Sequence, residues 1–331
     1  LIIFLPFFLY ASCFLSAFLF TCQCCIAVIF SVKKCIKCLT FQLACDIIKG
    51  LKKSHKIKEI KKAMLKEFYK PNSIAEAIGL KMRLGADTYY LAGGTELNSL
   101  DFKKPVKYLI SIEKLGLNKI NKTDEYLSIG AGLTIQELID KPEIPKQLKT
   151  AASHIVNRNI RNIGTLVGNI GANKSCSNLI PILLALDAEL TTATPTGEQK
   201  LRIEDFVKDK KDELIVSVNI KQKKILKSFA VKKYSRTAND ISIITSAVVL
   251  EKVDNKVKDI SIAVGGVDKC VIRLRELENK LKDKELRQKE EIEGIIKNMV
   301  NPIADIRGSA EFKKYMCAVL VVDCIFEAFK N

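Results

Sequence analysis

Two glycine-bearing stretches and one asparagine carry most of the chemistry legible in this chain. The first is Leu91-Ala92-Gly93-Gly94-Thr95-Glu96-Leu97, directly after a run that reads as a strand. Adjacent glycines remove the side chains that would hold a phosphate off the backbone. Successive N–H groups then form an anion-binding concavity, to which the Thr95 hydroxyl adds a donor. A pyrophosphate suits such a place, although a plain Gly-Gly turn leaving a strand has the same appearance. The second stretch is Asn159-Ile160-Arg161-Asn162-Ile163-Gly164-Thr165-Leu166-Val167-Gly168-Asn169-Ile170-Gly171-Ala172-Asn173. Repeated Gly and Asn between apolar residues suit a backbone wound closely around an elongated polar ligand, with Asn and Thr side chains as donors and acceptors. Read alone, it is equally a Gly-rich turn between strands. The third is Ser175-Cys176-Ser177-Asn178, ahead of an apolar run. Ser177 or Asn178 can cap the helix that follows, and Asn178 can instead accept from a ribose hydroxyl near that helix start.

Other reactive constellations are missing from the pattern. The two histidines, His55 in a Lys-rich stretch and His154 in an expected helix, have no nucleophile spaced to use them, so no catalytic residue is assigned. Neither GxGxxG nor GxxxxGK[ST] occurs. Cys35 and Cys38 have CxxC spacing, but no second CxxC or suitably placed His follows, so they read as free thiols and no metal site is assigned.

The elements that must position these residues alternate between helix and strand. Ser73 caps a helix whose Ile74, Ala77, Ile78 and Met82 share a face, Gly85 ends it, and a strand follows over 89–92. Strands are expected at 108–112, 126–131, 190–194, 214–220, 241–250 and 260–264, with a charged turn at 254–256, and helices at 134–139 and 179–186. From 267 onward the pattern is helical, and a second domain begins near Lys224. The chain has 331 residues, nearly half of them apolar, and a formal charge of +17. Its lysines are spread through every segment with acids between them, which describes a solvated basic surface and not a nucleic-acid face. Seven of the eleven cysteines fall at or before Cys45, and the sparse remainder suits a reduced, cytoplasmic body. Residues 1–32 carry no charge and are long enough to span a bilayer, with lysines following that would keep the rest in the cytoplasm. Two readings of 1–63 stand: a membrane anchor with its linker, or an extension upstream of Met64 that is not native protein.

Taken together, and in this order and spacing, these segments resemble the FAD-binding subunit of molybdenum hydroxylases of the xanthine dehydrogenase and carbon monoxide dehydrogenase type. The likeness runs from about Met64 to the end. Phe68 to Ala77 is similar to the family's opening helix, AGGTEL to its first flavin loop, and RNIGTLVGN to its second. Asn178 to Ala188 resembles the helix that follows. Val231 to Ile241, Ala263 to Val267 and Asp305 to Phe312 look like the later landmarks.

The resemblance implies an α+β fold: a two-lobed FAD-binding domain of the PCMH type over 64–223, then a C-terminal three-stranded antiparallel sheet with helices over 224–331. It implies that Leu91, Ala92, Gly93, Gly94, Thr95, Glu96 and Leu97, together with Thr165, Leu166, Val167, Gly168 and Asn169, wrap the FAD pyrophosphate. Asn178 would then hold the adenosine side, and Lys232 would lie near the flavin. Two departures stand out. Val167 occupies the place of the first of two glycines, where a β-branched side chain obstructs close approach unless it points away. Asn178 occupies the place of an Asp, which weakens one bond by about 1 kcal/mol. The implied partners are a molybdopterin-binding large subunit, an iron–sulfur small subunit, and NAD or another electron acceptor. The rivals are a self-sufficient FAD-dependent oxidase of the same fold and a redox-inactive, membrane-tethered scaffold.

Overall fold

The computed structural model describes residues 65–99, 102–155, 157–209, 212–286 and 288–331. The expected membrane span, the CxxC pair and the rest of 1–63 lie outside the described residues. Every element below belongs to the unit Lys62–Asn331. Among the described residues, no helix is long and apolar enough to cross a membrane.

A small parallel sheet comes first. It is built from β1 (Glu67–Tyr69), β2 (Thr88–Leu91) and β3 (Tyr108–Ser111) in the order β1-β3-β2. Helix α1 (Ile74–Leu84) supplies the crossover after β1. Ser73 caps it by accepting from the Glu76 N–H, and Gly85, at φ +79°, ends it as expected. The N-terminal part of the segment likened to an opening helix is instead β1, because Phe68 and Tyr69 pair with Leu109 and Ile110 before Pro71 breaks the strand.

A five-stranded antiparallel sheet follows, in the order β4-β5-β8-β6-β7. Its strands are β4 (Ile120–Lys122), β5 (Tyr126–Gly130), β6 (Glu189–Thr194), β7 (Gly197–Arg202) and β8 (Leu214–Lys221). Between β5 and β6 the chain makes five short helices: α2 (Ile135–Asp140), α3 (Lys146–Ser153), α4 (Arg158–Ile163), α5 (Leu166–Ala172) and α6 (Ile180–Ala185). Thr134 and Glu137 form a reciprocal capping box on α2. Helix α7 (Ile203–Lys208) precedes β8, and α8 (Gln222–Ile225) follows it.

The third sheet has three long antiparallel strands, β9 (Ser228–Tyr234), β10 (Ile244–Val253) and β11 (Lys256–Gly265), with a two-residue strand, β12 (Ile272–Arg273), at one edge. Asp254 and Asn255, both at positive φ, make the tight turn between β10 and β11. Helices α9 (Arg275–Leu281), α10 (Lys289–Met299) and α11 (Ala310–Lys330) complete the chain. The near-continuous apolar run in β10 follows from burial on both faces. Ala247 and Val249 join the core that contains α6, while Val248 and Leu250 point into the core beneath α11.

Candidate functional site

The two glycine stretches meet. Gly93 and Gly94 leave β2 into a turn in which Asn98 N–H bonds to the Gly94 carbonyl at 3.0 Å. Gly94 sits at φ +69°, in the left-handed region that glycine tolerates best. A methyl group on Gly93 would lie 2.7 Å from the Ile163 carbonyl carbon and closer still to its oxygen, so the backbones of the two stretches are in direct contact. Glycine is required at 93 by the Ile163–Gly164 backbone packed against it, whatever a phosphate also requires.

The second stretch is not a wound loop. It is α4 and α5 joined at Gly164, because Asn157 and Thr165 each cap a helix through their side chains, Thr165 by accepting from the Gly168 N–H at 2.9 Å. Bonds from Gly164 N–H to Ile160 and from Ile135 N–H to Gly164, at 2.7 and 2.8 Å, fix the junction from both sides.

Ala92, Gly93, Gly94, Thr95, Glu96 and Leu97 share with Thr165, Val167 and Gly168 the lining of one cavity of about 190 Å³. Five expected residues do not line it. Leu91 lies beneath Gly94, and Leu166 is fully buried. The Asn169 side-chain amide oxygen Oδ1 accepts from the Ser177 hydroxyl at 2.5 Å. Asn178 accepts from the Ser242 hydroxyl at 2.6 Å and donates to the His154 carbonyl at 3.4 Å. Lys232, on β9, pairs with Glu327 of α11 at 2.8 Å, and that hydrogen bond raises its pKa. Ser177, not Asn178, meets the N–H groups at the start of α6. Val167 is mostly buried in the core, with only an edge on the cavity.

Sequence reasoning missed the far wall. Tyr89 and Phe102 stand there edge to face with ring centroids 5.5 Å apart, alongside Tyr90, Lys104, Asp212 and Glu213. Burial, then the charge of Asp212, pushes the Tyr90 hydroxyl up to about 12, so it stays a neutral donor. Lys81 pairs with Asp212, while Glu213 accepts from Thr192 at 2.7 Å. Asp212 and Glu213 lie at the end of a charged run that reads as solvated surface, so no local signal marks them. The cavity thus joins a glycine turn and two threonine hydroxyls to aromatic walls and carboxylate acceptors. Such a set can take an anionic diphosphate beside a flat, hydroxyl- or amine-bearing group.

Comparison with known proteins agrees with this chemistry. Residues 60–231 match the family described as the FAD binding domain in molybdopterin dehydrogenase, and 229–328 match the CO dehydrogenase flavoprotein C-terminal domain. The protein YgfM of Escherichia coli (strain K12) is 33% identical over 260 residues, which cover 78% of this chain and 95% of that protein. The carbon monoxide dehydrogenase medium chain of Hydrogenophaga pseudoflava is 27% identical over 271 residues, 77% of this chain and 94% of its own. A solved structure of carbon monoxide dehydrogenase from Hydrogenophaga pseudoflava superposes with a TM-score of 0.75 at 26% identity, covering 80% of this chain and 98% of that one. With a family match across more than half its length, the chain belongs to the FAD-binding flavoprotein subunits of the molybdenum hydroxylase family, and its cofactor is FAD.

Proposed function

We propose that this chain is the electron-transferring medium subunit of a molybdenum hydroxylase complex. It would receive electrons from iron–sulfur clusters on a small partner subunit, fed by a molybdopterin-binding large subunit, and deliver them to NAD or another acceptor. What carries the reading is the convergence of the Gly93-Gly94 turn and the capped start of α5, remote in sequence, on one cavity. Relatives named as medium chains or subunits of carbon monoxide dehydrogenase and nicotine 6-hydroxylase support the partner assignment.

The residues present fit FAD. Gly93, Gly94, Thr95, Thr165 and Gly168 line the cavity with glycine backbone and threonine hydroxyls that can face the diphosphate, and Lys104 offers a positive charge. Tyr89 and Phe102 give a flat ring an aromatic wall, and Glu96 and Glu213 can accept from hydroxyl or amine donors. Asn169 and Asn178 serve the frame around the cavity: Ser177 ties Asn169 to Thr245 of β10, and Asn178 joins His154 to Ser242. Lys232 contributes least to the reading because Glu327 already holds its ammonium. When bound, the flavin supplies the exchange of electrons between one-electron clusters and a two-electron acceptor, and the protein supplies binding, orientation and electrostatics.

Expression of the full chain, followed by visible spectroscopy and FAD titration, tests the first half of this reading; a protein that stays colourless with excess FAD refutes it. Co-expression with a molybdopterin-binding and an iron–sulfur subunit of the same family tests the second half. A stable complex whose flavin bleaches when the large subunit's substrate is added is expected. An isolated chain that turns over a substrate without partners would refute the assignment as a subunit.

A further inference from the structure

The turn after β2 holds an anion site and an acid at once. Gly93, Gly94, Thr95, Glu96 and Leu97 all line the cavity. Among the described residues, none of their five backbone N–H groups has an acceptor, whereas the carbonyls of Gly94 and Glu96 receive the Asn98 and Ser99 N–H groups at 3.0 Å each. Successive N–H groups left open in this way attract an anion. The Glu96 carboxylate stands among the same five residues, and a bare carboxylate there would repel whatever anion those N–H groups attract.

Lys174 removes that conflict. Its ammonium pairs with Glu96 Oε1 at 2.8 Å. It follows α5 by two residues, and the end of that helix brings Gly171 and Ala172 to the cavity lining. The backbone that carries it is held on both sides. Asn173, at φ 48°, ends α5 and donates through its side chain to the Val207 carbonyl at 2.9 Å, and the Lys174 carbonyl accepts from the Ser177 N–H at 3.0 Å. The ion pair therefore joins the turn after β2 to the end of α5 beside the cavity. The Lys174 and Glu96 side chains are 45% and 31% exposed, and pairs so open to water add little to folding stability. Their effect lies in the field left at the cavity. The far wall repeats the arrangement: Asp212 lines the cavity, and Lys81, which does not, pairs with it.

We propose that Lys174 is the counter-ion residue of the anion site: by neutralising Glu96 it allows a turn that contains an acid to bind a diphosphate. The inference rests on the FAD reading above and deepens it. It adds to the site a cation that lies outside both glycine stretches, and it makes the influence of Lys174 conditional on the charge at Glu96.

The test uses the full chain with Lys174→Met, Lys174→Arg, Glu96→Gln and the Glu96→Gln/Lys174→Met double variant. Each is titrated with FAD by fluorescence quenching at low and at high salt, with thermal unfolding of the cofactor-free protein recorded alongside. Expected in Lys174→Met at low salt is an FAD affinity lower by about ten-fold, with the unfolding temperature unchanged. At about 1 M salt, where the Debye length falls to about 3 Å, the ratio of wild-type to variant affinity should shrink to within about two-fold. Lys174→Arg, which keeps the charge, should recover most of the affinity. In the Glu96→Gln background the lysine has no charge to neutralise, so adding Lys174→Met should cost no more than about two-fold. Should Lys174→Met fail to fold, Lys174→Gln makes the same comparisons. Wild-type affinity in Lys174→Met would overturn the proposal. So would an equal loss in the Glu96→Gln background or a loss indifferent to salt, since either would make Lys174 a direct contact or a structural prop. A wild-type chain that binds no FAD would sink the cofactor reading and this inference together, whereas tight binding that ignores Lys174 would sink this inference alone.

Discussion

Gly93→Ala separates the architecture of the site from the chemistry of the ligand. The added methyl group would sit 2.7 Å from the Ile163 carbonyl carbon and 3.0 Å from the Gly164 Cα. Carbon atoms rest at about 3.5–4.0 Å, so the two turns must part by roughly 1 Å. Neither obstacle is a side chain that can swing aside. Both are backbone atoms, held by the Gly164–Ile160 and Ile135–Gly164 bonds at 2.7 and 2.8 Å. Overpacking of this kind costs ~1–3 kcal/mol. Parting the turns also widens the cavity that Gly93 shares with Thr165 and Gly168. Denaturant unfolding of the cofactor-free chain should therefore show a loss in that range, and FAD affinity should fall by about ten-fold or more, which corresponds to ~1.4 kcal/mol. Gly79→Ala is the control. Nothing lies within 4 Å of the added methyl in the middle of α1, so a gain of ~0.5–1 kcal/mol with unchanged affinity is expected. A Gly93→Ala protein that matched wild type in both measurements would show that the two turns do not touch as described.

Acid should loosen the fold through specific carboxylates. The Arg275 hydrogen bond, opposed by burial and aided by Lys208, holds Glu204 down from 4.5 to about 2. Burial raises Asp259, but bonds from Lys227 and Lys224 outweigh it and bring it to about 2. Both are depressed carboxylates, so their stabilisation is complete above the unfolded-state values and is lost as pH falls toward about 2. Arg275→Met should flatten the loss of thermal stability over that window, and an unchanged acid limb would refute the assignment. Burial pushes the Cys317 and Cys324 thiols up to about 12. Alkylation followed by peptide mapping should therefore find both protected in the folded chain while the half-exposed Cys176 and Cys270 react; early labelling of Cys317 or Cys324 would contradict the packing of α11.

Local chemistry made the capped elements legible. Ser73, Gly85, Thr134 and the Asp254-Asn255 turn each act within a few residues, and each stands where the pattern put it. Two other features could not be read in that way. Strand β1 is three residues long and exists only because β3 lies beside it, a partner remote in sequence. The run 159–173 mixes Gly and Asn as a loop does, yet each of its helices is short enough for one capping side chain, Asn157 or Thr165, to define it. At the site, residue types pointed to the two glycine turns. They gave no sign of Tyr89, Phe102 or Asp212, which reach the cavity from β2, from the segment after the first glycine turn and from the residues just before β8. The lysines of β9 show the same division. Alternation says that 232 and 233 face apart, but only the tertiary fold says which one pairs with Glu327 and which one reaches the His154 carbonyl.

Val167 tests whether a departure from the family pattern is a defect or an accommodation. The family likeness puts a glycine there, and a valine close to a diphosphate would keep the backbone away from it. In the structure the side chain is only 9% exposed and belongs to the same core as Leu166 and Ile170, while Gly168, where a Cβ would meet the Thr165 hydroxyl, lines the cavity. Obstruction and packing predict opposite outcomes for Val167→Gly. If valine obstructs, removing it should tighten FAD binding by about ten-fold. If valine packs, removing it forfeits ~1.5–3 kcal/mol of burial and up to ~1 kcal/mol of helix propensity in α5, and FAD affinity stays level or falls as the second turn loosens. Burial favours the second outcome, because a side chain that is nine-tenths enclosed cannot also fill the cavity. Paired denaturation and FAD titration of Val167→Gly decide the matter: a destabilised protein that binds no more tightly is expected, and a tighter-binding one would mean that the valine edge on the cavity, small as it is, stands in the path of the diphosphate.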